Sequence, residues 1–180
     1  MPETHSKEII PLHLRPYRIG IGIAVFNEKN EIFIAERYTQ AGAWQLPQGG
    51  VTTQEIDDDL LGAALRELDE ETGMTNVTPL AITKDWMHYD FPPDGEIPGT
   101  SFKYRGQRQK WIAVRYHGSD DEIDLTTHEE IEFRDWRWGQ LSEISEIIVG
   151  FKRPVYDFVQ DCFAYIPAGE EADLSKVIKL

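Results

Sequence analysis

The stretch Gly49–Met74, GGVTTQEIDDDLLGAALRELDEETGM, decides how the rest of the chain is read. Leu61, Ala64, Leu65, Leu68 and Thr72 recur at three- and four-residue intervals, which predicts one amphipathic helix from Ile56 to Thr72. Asp57, Asp58 and Asp59 fall at its expected N-terminus, where negative charge is favoured, and Gly73 supplies the stop. Gly62 lies inside this helix at a cost of about 1 kcal/mol relative to Ala, so a neighbouring element is expected to approach closely there. At about 100° per residue, Glu67, Glu70 and Glu71 share an arc of roughly 100° beside the apolar stripe. Like charges so spaced repel and need either solvent or a cation. A solvated acidic face is the ordinary outcome of such a run. Here, however, the pair Gly49-Gly50 precedes the helix, Arg66 stands beside the first glutamate and Gly73 ends the last turn. Hard carboxylate oxygens on a rigid element suit Mg²⁺ or Mn²⁺.

Working outward, Ile19, Ile21, Ile23 and Val25 alternate with Gly20, Gly22 and Ala24, which reads as a strand whose second face lies close to other backbone. A polar turn at Asn27–Asn30 leads to a second strand through Ile32, Phe33 and Ile34. Further strands are expected at Val77–Met87, Gln109–Tyr116 and Phe133–Trp138. Between them lie an irregular stretch, Asp90–Gly106, and an acidic loop, Ser119–Glu130; long loops within compact domains are often functional. Pro154 opens a last helix with Val155, Phe158, Val159, Cys162 and Phe163 on one face. Strands with a central and a terminal helix make an α/β (α+β) layered domain. Residues 1–14 and 169–180 lack sustained periodicity and read as loosely attached termini around one domain at 15–168.

Thirty-two acidic against 18 basic residues give a formal charge of −14, so the far field repels polyanions, and neither DNA nor a general nucleic-acid coat function is expected. Clustered carboxylates neutralised by divalent metal leave local binding open. The single cysteine, Cys162, excludes an internal disulfide and reads as a small core residue. No apolar run approaches the ~20 residues of a membrane span and no secretory signal is evident, so a cytoplasmic location is expected. Nothing in the sequence identifies a protein partner.

Gly49–Met74 resembles the Nudix box, G-x5-E-x7-R-E-U-x-E-E-x-G-U, where U is bulky and aliphatic. Its second half matches at every constrained position, through Arg66, Glu67, Leu68, Glu70, Glu71, Gly73 and Met74. The first half departs: ten residues separate Glu55 from Arg66, and alignment backward from Arg66 puts Asp58 where the early glutamate is expected. The resemblance covers most of residues 15–165. WQLPQGG at Trp44–Gly50, GQRQKW at Gly106–Trp111, EFRDWRW at Glu132–Trp138 and FKRPVY at Phe151–Tyr156 are similar to bacterial RNA pyrophosphohydrolases and to diadenosine tetraphosphate hydrolases of bacteria and plants.

That resemblance implies an α/β/α sandwich around a mixed sheet and a metal-dependent pyrophosphohydrolase. Its substrates would be dinucleoside polyphosphates, the 5′ end of triphosphorylated RNA, or both. It implies Glu67, Glu70, Glu71 and Glu132 as metal ligands, with Gly49 beside them and two or three Mg²⁺ or Mn²⁺ ions. Arg66 would orient a glutamate, and Glu71 or Glu132 would take the proton of the attacking water. Arg18, Arg37, Arg108, Lys110, Lys152 and Arg153 match or neighbour phosphate-facing cations, while Tyr89 and Phe151 are candidates to contact a base. A Nudix-shaped module that binds nucleotides without catalysis is the alternative, suggested by the altered spacing before the helix.

Overall fold

The expected alternation at Ile19–Val25 forms the middle of strand β1 (Tyr17–Phe26), which is buried from Gly20 onward. It is followed by β2 (Ile32–Arg37), β3 (Trp44–Gln45), β4 (Gln48–Gly50), helices α1 (Thr53–Asp58) and α2 (Leu60–Thr72), and β5 (Val77–Thr83). The order continues with β6 (Met87–Asp90), β7 (Gly106–Tyr116), β8 (Phe133–Gly139), α3 (Ile144–Ile147), α4 (Arg153–Phe163), α5 (Tyr165–Ala168) and β9 (Val177–Lys179). The structure is a computed structural model that describes residues 11–92 and 103–180.

Strands run in the order β3-β2-β1-β7-β5-β9, with β4 added to β1, β6 to β7 and β8 to β2. β1 and β7 are parallel from Tyr17 opposite Gly106 to Phe26 opposite Arg115, whereas β2, β4, β5, β6, β8 and β9 join their neighbours antiparallel. One face of this mixed sheet, with Ile21, Ile23, Val25, Ile112 and Val114, packs against Ala64 and Leu68 of α2. The opposite face, with Ala24, Phe26, Trp111 and Ala113, packs against Val155, Val159, Cys162 and Phe163 of α4. Each fully buried Ile, Leu or Phe stabilises such a layer by roughly 1.5–3 kcal/mol. The result is a sheet between two helical layers, with Cys162 in the core as expected.

Three expectations need correction. The helix expected from Ile56 is two helices. Thr52 caps α1 through a reciprocal pair: its hydroxyl accepts from the Glu55 N–H at 3.2 Å and its own N–H donates to Glu55 Oε2 at 2.8 Å. The chain then breaks at Asp59 (φ −157°, ψ 67°), whose carboxylate accepts from the Gly62 N–H at 2.7 Å and so starts α2. A Cβ on Gly62 would stand 2.0 Å from that carboxylate, so the close approach at this glycine comes from its own cap and not from a neighbouring element. Second, the run Val77–Met87 divides, β5 pairing with the C-terminal half of β7 and β6 with its N-terminal half. Third, the stretch read as a loose C-terminal tail supplies β9, which pairs Val177–Lys179 with Thr83–Ala81.

Residues 93–102 of the Asp90–Gly106 stretch and 1–10 of the expected N-terminal segment lie outside the described residues. Among the described residues no helix is long and apolar enough to cross a membrane.

Candidate active site

β4 is threaded between β1 and α2, and two glycines make that possible. Gly20 faces Gly50 and Ile21 faces Gly49 across the ladder; a Cβ on Gly20 would come within 2.8 Å of the Gly49 carbonyl oxygen. A Cβ on Gly49 would sit 1.9 Å from the Glu67 carboxylate. The absent side chain therefore lets Glu67 lie directly on the β4 backbone, which brings the expected Gly49 position and Glu67 together.

Arg66 ties the acidic groups to one another. Its Nη1 lies 2.8 Å from Glu67 Oε1 and 3.3 Å from Glu70 Oε2, and its Nη2 lies 3.2 Å from Glu55 Oε1. Glu55 thus reaches Arg66 despite the longer spacing, while Asp58 is exposed. The Thr52 N–H and hydroxyl, followed by Arg66, hold the Glu55 carboxyl below its ordinary pKa. Capping has made the additional turn a spacer that returns Glu55 to the helix that follows.

Glu71 keeps some exposure as a residue, but its carboxylate is enclosed and accepts from the Gln48 N–H at 3.2 Å. Burial, followed by the charges of Glu132, Glu67 and Glu70, pushes its pKa well above the usual carboxylate range. Burial likewise raises Glu67, partly offset by Arg66. Glu132 arrives from the loop before β8, because its carbonyl accepts from the Tyr38 N–H at 2.8 Å and its carboxylate lies 3.6 Å from Arg37 Nε. Among the described residues no three His, Cys, Asp or Glu groups are already arranged around one point as a metal cage. The donor set nonetheless fits a hard divalent cation: four carboxylates line one cleft, and the most enclosed of them is surrounded by like charge.

Glu67, Glu70, Glu71 and Glu132 line a cleft of about 970 Å³. Arg18, Arg37, Tyr89, Phe151 and Lys152 line it as well, so five of the eight expected substrate-contacting residues meet there. Arg37 Nε is buried without a hydrogen-bond partner, since 3.6 Å to Glu132 exceeds hydrogen-bond reach. Lys152 is 8% exposed, its Nζ 3.5 Å from Gln45 Oε1. Burial, and then Arg37, lowers its pKa to about 8. Tyr89 is packed between Phe91 and Phe151, with ring centroids 6.0 Å and 5.7 Å away, and is 5% exposed. A ring so enclosed is not a free stacking platform, and it is the unpartnered buried hydroxyl that it offers to the cleft.

Three expected cations are not in the cleft. Arg153 is exposed at the first position of α4. Arg108 and Lys110 lie over the Trp86 ring, 5.2 Å and 5.7 Å from its centroid, on the reverse side of β7. The cleft side of that strand carries Gln107 and Gln109 instead, and Gln109 Nε2 donates to Gln48 Oε1 at 3.0 Å and to Gln107 Oε1 at 2.9 Å. The period-two pattern of GQRQKW contained this division: either the glutamines or the basic residues face the cleft. His128, Glu129 and Glu130 also line the cleft, and no spacing in the acidic loop singled them out.

A model of the NUDIX domain matches residues 16–159. The chain belongs to the NUDIX family. This Nudix chain is 44% identical over 153 residues to the RNA pyrophosphohydrolase of Acidiphilium cryptum (strain JF-5), covering 83% of the chain and 91% of that relative. It is 44% identical over 157 residues to the RNA pyrophosphohydrolase of Caulobacter vibrioides (strain NA1000 / CB15N), covering 86% and 90%. Among solved structures, a C. elegans Ap4A hydrolase binary complex superposes with a TM-score of 0.59 at 18% identity, covering 84% of this chain and 98% of that one, which speaks for the fold alone. The architecture is the Nudix α/β/α sandwich, and the chain is a Nudix hydrolase with pyrophosphohydrolase activity. Nudix hydrolases generally need divalent metal ions, in keeping with the carboxylates that line the cleft.

Proposed function

We propose that this Nudix hydrolase removes pyrophosphate from the 5′ end of triphosphorylated RNA and splits dinucleoside polyphosphates in the same cleft. The observation that carries the reading is the mixed charge of the cleft lining: Glu67, Glu70, Glu71 and Glu132 share one cleft with Arg18, Arg37 and Lys152, and Arg37 lies 3.6 Å from Glu132. Such a cleft matches a polyphosphate, whose charge needs both metal and fixed cations. The RNA pyrophosphohydrolases at 44% identity support the RNA half.

Glu67, Glu70, Glu71 and Glu132 would hold two or three Mg²⁺ or Mn²⁺ ions, with the Gly49 backbone beside Glu67. When bound, these ions supply neutralisation of phosphate charge and a more acidic water. Arg66 fixes the directions of Glu67 and Glu70. Arg18, Arg37 and Lys152 grip the phosphate oxygens and orient the chain for in-line attack, and the Tyr89 hydroxyl and Phe151 ring shape the wall beside them. Water attacks phosphorus, the phosphoanhydride oxygen leaves with its electron pair, and the water's proton passes to Glu71 or Glu132. A cytoplasmic enzyme whose catalytic unit spans residues 15–168, with no role for DNA or membrane, completes this reading.

The test is turnover with Mg²⁺ on a 5′-triphosphorylated oligoribonucleotide and on diadenosine tetraphosphate. Both are expected to react, with kcat/KM values that can be compared directly. Absence of RNA turnover removes the RNA half of the proposal.

A further inference from the structure

We propose that the reverse side of β6 and β7 binds the single-stranded body of an RNA whose 5′ end occupies the cleft; this rests on the RNA half of the proposed function. Two cations, Arg108 and Lys110, share the Trp86 ring at 5.2 Å and 5.7 Å, and among the described residues neither is ion-paired to a carboxylate. In a chain with 32 acidic and 18 basic residues, two adjacent cations without an acidic partner form a local exception to the far field. Trp86 is only partly buried.

The row continues. His88 faces Arg108 across the β6–β7 ladder, and the Tyr17 ring lies 5.0 Å from the His88 ring. Arg105 covers Tyr17 at 5.0 Å, but its charge is answered by Asp90 at 2.7 Å, so the net positive charge is that of Arg108 and Lys110. Rings interleaved with cations are what a flexible polyanion of stacked bases needs: a π-face for each base and a charge near each phosphate.

The surface adjoins the cleft through one strand. Tyr89 and Gln107 are paired neighbours lining the cleft, and the adjacent pair, His88 and Arg108, points the other way. Among the described residues β6 is paired only with β7, so the cleft-lining pair Tyr89–Gln107 and the reverse-side pair His88–Arg108 are one residue apart on the same two strands. A substrate as short as diadenosine tetraphosphate ends inside the cleft.

The experiment compares the parent with Arg108→Ala/Lys110→Ala and with Trp86→Ala, using triphosphorylated RNA of about ten nucleotides and diadenosine tetraphosphate. KM for the RNA should rise roughly tenfold in each variant, with diadenosine tetraphosphate kinetics unchanged, as expected from the loss of one stacked base or two phosphate contacts. The salt slope of log KM should fall by about 1.4 in the double variant. An equal loss on both substrates would make the patch structural and overturn the proposal, as would unchanged RNA kinetics.

Fluorescence anisotropy with a 5′-hydroxyl oligoribonucleotide separates this proposal from the one it rests on, because it needs no hydrolysis. Weakened binding by the double variant supports the surface even if triphosphorylated RNA is not turned over; no binding by the parent overturns it. Displacement by polyglutamate as effective as by unlabelled RNA would also overturn it, marking a site for acidic proteins instead.

Discussion

The two charged sets that line the cleft, carboxylates and cations, are built by different means. Three of the four carboxylates come from five consecutive residues of α2, Glu67–Glu71, and their arc is set by helix pitch alone. The cations come from β1, β2 and the turn before α4, and only the closed sheet brings Arg18, Arg37 and Lys152 together. A site made by local geometry survives small shifts of the layers. One assembled from separate elements depends on their packing and on how deeply each cation is buried. The carboxylate set should accordingly respond to substitution as an all-or-none chemical element, and the cationic set as a graded, pH-sensitive one.

Glu70→Gln tests the first half of that contrast and carries the largest expected effect. Glu70 is 39% exposed on its side chain, and the amide retains an oxygen facing Arg66, so the fold and its Tm should be unchanged. Turnover with Mg²⁺ should fall on the order of 10²–10³-fold, the usual consequence of deleting one fixed charge from a preorganised reacting centre. A variant within twofold of the parent would make the arc a solvated acidic face.

How much could be read beforehand follows the same contrast. Leu68, Gly73 and the three glutamates were legible because their relations span four residues or fewer, within reach of a periodicity. Glu55 was ambiguous with Asp58, since counting residues says nothing of the break at Asp59 that turns α1 back onto Arg66. For β7 the alternation is visible but its phase is not, because the face of a strand that meets the cleft is fixed by its partners, above all by β1, which is distant in sequence. Lys152 and Arg153 are adjacent in the chain, yet one is buried in the cleft and the other exposed, a difference set by where the turn ends and α4 begins. β9 was missed because Val177–Lys179 is too short to show a period.

Lys152 tests the cationic set at an intermediate magnitude. Burial holds its pKa at about 8, so the ammonium is present below that pH and lost above it. Attraction for phosphate follows the same sign: kcat/KM, which reports the free enzyme, should decline as pH rises through about 8. Lys152→Met should lower kcat/KM at pH 7 by roughly tenfold, about the value of one charge-assisted hydrogen bond, and should also lack that alkaline limb. If parent and variant decline together, the limb belongs to another group and the cationic set is not graded by this lysine.

The smallest effect sharpens the comparison beside the carboxylate set, where one contact, Glu55 to Arg66, is not a matter of α2 pitch. Thr52 anchors Glu55 with both its N–H and its hydroxyl, and the Glu55 N–H returns to the same hydroxyl. Thr52→Ala removes the two hydroxyl contacts at a cost of about 1 kcal/mol, which should lower Tm by about 2–4 °C. Because Glu55 keeps its bond to the Thr52 N–H, Arg66 should loosen only slightly, and kcat should fall a few-fold where Glu70→Gln falls by orders of magnitude. Asp58→Ala, at an exposed position, should leave both Tm and kcat at parental values. A larger loss at Asp58 than at Thr52 would mean that the additional turn does not restore Glu55 to the helix, and that the acidic set is local to α2 and the residues immediately before it.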